Sequence, residues 1–94
     1  MAEANRSRPI VVAGKGTANY TLAIATRYGE GEERIILRAR GRHIAAAFDA
    51  ANAAINMGLM LTRGNVRWGQ EELAHERFVS WVEIELDAIP DSQA

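Results

Sequence analysis

Cysteine is missing from the 94 residues, which excludes disulfides and thiolate metal sites and fits a reducing compartment. Histidine is scarce: His43 and His75 are too few, and too isolated in sequence, for a metal site or a catalytic triad. No apolar run approaches the roughly 20 residues needed to cross a bilayer, and the start, MAEANRSR, has no hydrophobic signal segment. A cytoplasmic protein with no membrane partner is therefore expected. Lysine is nearly absent as well, with Lys15 standing alone beside ten arginines. The planar guanidinium suits phosphate oxygens, although genome composition or a hot habitat produces the same bias.

What remains is 48% hydrophobic and 24% charged, the balance of one ordinary soluble domain spanning residues 1–94, with an ordered core from about 9 to 89 and short flexible ends. A chain of this size has a thin core, so pairing with a second copy is expected. The formal net charge is −1, but it is unevenly spread. Residues 1–67 carry ten Lys/Arg against five Asp/Glu, net +5, whereas residues 68–94 carry Arg77 against seven acids, net −6. The molecule thus has a basic body and an acidic end.

PIVVAGKG offers an apolar run of strand length, Ile10 to Ala13, closed by a Gly-Lys-Gly loop. TANYTLAIATRYGEG follows as a first helix, with Thr17 as its cap and Gly29 as its stop. EERIILRAR reads as a second strand; Ile35, Ile36 and Leu37 are consecutive, which suits a central strand covered on at least one face, with cover on both expected. From Gly41 to about Leu59, Ile44, Phe48, Ala51, Ile55 and Leu59 recur at helical spacing and predict a second helix burying that stripe. Val66 and Trp68 mark a third strand. RFVSWVEIELDAI is a fourth, with Val82, Ile84 and Leu86 alternating against Trp81, Glu83 and Glu85. The two strands join as a hairpin, with QEELAHERF read as its short acidic arm.

The order β-α-β-α-β-β implies an α/β fold, a two-layer sandwich of a four-stranded mixed sheet and two helices. If the first two strands are parallel, a right-handed crossover brings their C-terminal ends to one edge of the sheet. GKG leaves one end and RARGR the other. Lys15, Arg40 and Arg42, with Arg38, should then share a face near the amino ends of both helices. Cations there oppose the helix dipole by a few tenths to about 1 kcal/mol each, which folding alone does not explain. A bound phosphate supplies the missing negative charge. The alternative is that these arginines are solvated or paired with Glu30, Glu32 and Glu33.

The stretches GKGTANY and RARGRHIAAAFD resemble the Alba family of small archaeal chromatin and RNA-binding proteins, over about residues 9–88. The resemblance implies a βαβαββ fold, a homodimer packed through the second helix and the sheet edge, and sequence-independent binding of double-stranded DNA or RNA on the chromosome. By position in those motifs, Lys15, Arg40 and Arg42 would contact phosphates, joined by Gly16 and Arg38. Asn19 and Tyr20 would shape or touch the same surface, and Arg67 on the hairpin would reach the backbone. Lys15 would be the site for acetylating and deacetylating enzymes, since neutralising it removes a phosphate partner. The acidic end suggests a second possibility, a low-affinity subunit that forms heterodimers with a more basic relative or docks another protein.

Other signals are weak. GKGT lacks the spacing of a nucleotide-triphosphate loop, and no cofactor or enzyme activity is expected. Glu83 and Glu85 share a strand face and read as solvated acids rather than a catalytic pair. Trp68 and Trp81 could stack on unpaired bases, with hairpin or interface packing the more ordinary role.

Overall fold

A computed structural model describes residues 8–90 of the chain. The flexible ends expected from the sequence fall almost wholly at 1–7 and 91–94, outside the described residues. Strand β1 (Ile10–Val12) leads into helix α1 (Thr17–Gly29), strand β2 (Arg34–Arg40), a 3-10 turn (Gly41–His43) and helix α2 (Ile44–Asn56). Strands β3 (Leu61–Leu73) and β4 (Arg77–Ala88) complete the chain. The sheet order is β1-β2-β4-β3, with β1 parallel to β2 and the other pairs antiparallel. Both helices lie on one face of this mixed sheet, as the order of elements predicts.

Alternation decides which residues fill the core. Ile35, Leu37 and Ala39 of β2 and Val82, Ile84 and Leu86 of β4 are buried beneath the helices, joined by Ile10, Val12 and Leu61. The odd-numbered residues of β4 point the other way. That reading of β4 holds, but the expectation of a doubly covered β2 does not: Ile36 is only half-buried, between Arg34 and Arg38, which are exposed. The run Ile35-Ile36-Leu37 hides the period of two, so the open outer face was legible only from the arginines flanking it.

The face of α2 also differs from expectation. Of the expected stripe Ala51 is fully buried, together with Ala47, Ala50 and Ala54, whereas Ile44, Phe48 and Ile55, and Leu59 beyond the helix, pack only at the margin of the core. Small side chains let α2 approach both the sheet and α1, which displaces the bulky stripe to the flank. The helix stops at Asn56 rather than Leu59, and Gly58 takes the left-handed conformation, φ +96°, that ends it.

QEELAHERF is not a short arm. It folds almost entirely into strand, pairing as far as Leu73 with Arg77, and only Ala74–Glu76 remain for the tip. The resulting arm lengthens the molecule to 51 Å against 27 and 20 Å in the other directions. Residues 70–78 are exposed throughout, so no core imposes an apolar alternation on them, and the strand signal fades where the arm leaves the body.

Candidate nucleic-acid interface

Parallel pairing places Val12 opposite Ala39, so the loops that follow β1 and β2 leave the same end of the sheet. The first loop is pinned from beneath. Tyr20 is buried on α1, and its hydroxyl accepts hydrogen bonds from the backbone N–H of Ala13 (2.8 Å) and Lys15 (3.1 Å). Tyr20 therefore shapes the surface instead of touching a ligand. Its hold leaves Gly14, Lys15, Gly16 and Asn19 exposed at the rim. Gly16, not Thr17, is the N-cap of α1, and it offers no side-chain acceptor to the free N–H groups.

The second loop turns at Gly41, where φ is +56° and an added Cβ would stand 3.4 Å from Val79 Cγ2. Through this turn the chain leaves β2, and Arg42 is exposed just before α2 begins. His43 occupies the N-cap of α2 without capping it through its side chain, and neither helix has an acid in its first turn. Two uncapped helix starts, Lys15 and Arg42 thus share one rim. Among the described residues, no carboxylate lies within 4.0 Å of either cation's charged nitrogens.

The other expected contacts stand elsewhere. Arg38 and Arg40 point to the open face of the sheet, and so does Arg67 on β3. There they meet the chain's own acids. Glu83 faces Arg38 on one neighbouring strand and Arg67 on the other, in register with both, and one carboxylate accepts from both guanidinium groups. Arg40 reaches across β4 to Glu71 at 3.0 Å. The partners are therefore not Glu30, Glu32 or Glu33; of these, Glu32 is buried and faces Arg27 at 3.9 Å. Glu83 is no solvated acid either, its side chain being 12% exposed. Hydrogen bonds from Arg67 and then Arg38 hold its carboxyl below the usual carboxylate range.

Sequence reasoning missed this triplet because opposite charges pair across strands only when the register is known, and the register emerges from the whole hairpin. The available signal was weaker: three basic and two acidic residues at alternate positions that share a face. Trp81 takes the hairpin-packing role that the sequence offered, its indole covering Gly69 on β3, where a Cβ would lie 3.0 Å from the ring. Among the described residues, no three His, Asp or Glu side chains cluster as a metal site.

No protein-family model matches the chain. It is 35% identical over 69 residues to the DNA/RNA-binding protein Alba of Methanocella arvoryzae, covering 72% of each protein. A solved structure, Alba from Thermoplasma volcanium, superposes with a TM-score of 0.79 at 33% identity, covering 85% of this chain and 99% of that one. This chain belongs to the Alba family. Alba 2 of Methanopyrus kandleri is 45% identical over 51 residues, 54% of this chain and 52% of that protein. The match with Alba of Methanoculleus marisnigri, 35% over 51 residues, spans 56% of that relative's length. The two-layer Alba architecture thus carries, in this member, a cationic rim and a sheet face whose arginines are tied to carboxylates.

Two consequences are measurable. Replacing Tyr20 by Phe leaves two loop N–H groups without their acceptor, so hydrogen exchange at Ala13 and Lys15 should accelerate and stability fall by about 1–3 kcal/mol. Unchanged exchange would remove Tyr20's anchoring role. Glu83→Gln should lower stability at neutral pH by a few tenths to about 1 kcal/mol. Because Glu83's folded-state pKa is depressed, its contribution is present above the unfolded-state value near 4.3 and lost as pH falls through the folded-state value. Urea titrations of both proteins should converge on acidification; a gap independent of pH would contradict the triplet.

Proposed function

We propose that this protein binds duplex DNA or RNA as a homodimer and without regard to sequence, holding phosphates at the rim built by the two loops. The observation that carries the reading is the convergence of Lys15, Arg42 and two uncapped helix starts at one end of the sheet. Each opposes its neighbours electrostatically until an anion arrives. Relatives named DNA/RNA-binding proteins support the same conclusion. Gly16 lets a phosphate approach the loop backbone, and Asn19 adds an exposed amide one helical turn away. Arg38, Arg40 and Arg67 contribute less to this surface than their charge suggests, since each already has a carboxylate. Contacts of this kind fix position on the polymer but do not read bases.

Dimerisation has its own support. Ile44 and Phe48 of α2 line a groove of about 430 Å³ with Val66 and Trp68 of β3, and Trp68 is 75% exposed. Burying such a surface against a second copy would supply the apolar area that a chain of this size lacks. Lys15 is also the natural target of an acetylating enzyme and its deacetylating counterpart, because it is exposed at the rim and, among the described residues, forms no ion pair. In this reading the protein is a cytoplasmic, chromosome-associated chromatin component of an archaeal cell, and it binds without catalysing.

One feature favours the alternative of a weaker subunit that heterodimerises with a more basic relative. The arm carries Glu71, Glu72 and Glu76, all exposed, and acids repel phosphates. The same groove would serve either dimer, so mixing experiments with a basic relative distinguish them.

If each subunit neutralises two phosphates, log K for a random duplex should fall with log salt at a slope of about −4 per dimer. Lys15→Ala with Arg42→Ala should flatten that slope and weaken binding equally on unrelated sequences; a slope that stays the same would reject the rim. Phe48→Asp should convert dimers to monomers in sedimentation velocity at micromolar concentration. Persistence of the dimer would move the interface off this groove.

A further inference from the structure

On the open face of the sheet Trp81, which also borders the groove on the helix side, occupies the floor of a depression. Arg38, Arg40, Glu71 and Glu83 form its walls. Those four residues form two ion pairs. Arg40 spans β4 to reach Glu71, and two residue pairs further along the strand Arg38 meets Glu83. The indole leans away from Arg40 onto Gly69, where the absence of a side chain lets the ring lie against the strand. A glycine inside a strand weakens it, and such positions often mark a close approach by another group.

We infer that this depression is a second binding site, which takes one unpaired nucleobase of a single-stranded RNA or DNA. The charges select the kind of ligand. Two arginines and two glutamates line the walls, so the slot is formally neutral and offers a free phosphate no net attraction. A flat, uncharged ring with donors and acceptors on its edge suits it better. The ring stacks on the indole, its acceptors meet guanidinium N–H groups, and its donors meet carboxylates. Arg67, which shares Glu83 with Arg38, leaves one surplus positive charge beside the slot for the strand's backbone. Duplexes are excluded because their bases are stacked on each other, so this site goes beyond the rim and does not depend on it.

The test uses the full-length protein with Trp68→Phe, in which Trp81 is the sole tryptophan and is excited selectively at the red edge of the tyrosine absorption. A short oligoadenylate RNA, its DNA counterpart, a random duplex and free AMP serve as ligands. Both single strands should quench Trp81 and the duplex should not. Trp81→Leu should weaken single-strand binding roughly tenfold while changing duplex binding less than about twofold. Trp81→Phe keeps an aromatic face and should retain most of the affinity, and thermal melts of both variants separate lost stacking from lost folding. Unquenched fluorescence, or single-strand affinity indifferent to Trp81→Leu, would overturn the site. Quenching by AMP as strong as by the oligomers would reassign it to free nucleotides. Loss of duplex binding in the Lys15, Arg42 double variant with single-strand binding intact supports two separate sites. A wild-type protein that binds single strands through Trp81 but no duplex would defeat the proposed function alone.

Discussion

The parallel pairing of Ile10–Val12 with Leu37–Ala39 is the constraint on which the rest depends. Three residues of β1 suffice to fix it, because Ile10 and Val12 are buried under the helices while Val11 faces outward. Once β1 and β2 run the same way, the chain must cross over through α1, and every loop that leaves a strand on its way to a helix emerges at one end of the sheet. The rim is therefore a product of topology. Lys15 and Arg42, far apart in sequence, follow strands that end on the same side, so strand direction puts both at that rim. The buried hydroxyl of Tyr20 then converts a glycine-rich loop, flexible by composition, into a defined platform.

The same sheet has two unlike faces, and they divide the charge. Beneath the helices β2 and β4 supply only aliphatic residues and alanine. Outward the strands supply arginine and acidic residues, so Arg34, Arg38 and Arg67 find partners on β4, and Arg40 finds Glu71 on β3, before any ligand arrives. A guanidinium beside a carboxylate is held in place and loses most of its pull on a distant phosphate, but it keeps its hydrogen-bonding edge. Rim cations act through charge; face cations act through geometry. That division lets ten arginines sit within a net charge of −1.

Element order, the alternation on β4 and the convergence of the two loops were legible because each follows from short-range pattern plus one handedness rule. The inner face of α2 was not. Periodicity ranks Ile44, Phe48 and Ile55 above alanine, yet the closeness of two helices on a narrow sheet favours the smallest side chains, and hydrophobicity alone carries no information about that distance. The arm escaped for a related reason. Residues 70–78 have solvent on both sides, and a strand without a buried face has no alternation to display. The Arg38–Glu83–Arg67 triplet needed a register set by the full length of β3 and β4, including the irregularity between Arg63 and Val66.

That irregularity links the body to the arm. Up to Arg63, β3 pairs in one register with the stable part of β4; after Gly64 and Asn65 it resumes in another, and this shift brings Arg67 opposite Glu83 and Gly69 opposite Trp81. An added Cβ at Gly64 would stand 2.5 Å from Asp87 Oδ2, so the glycine permits the close passage that the shift requires. A strand slipped by a single residue would turn Arg67 toward the helix side, strip Glu83 of one partner and lift the indole off its glycine. The charge triplet and the aromatic floor are thus consequences of one extra residue at the base of the arm. The sheet's open face can hold an ordered site although no second layer covers it.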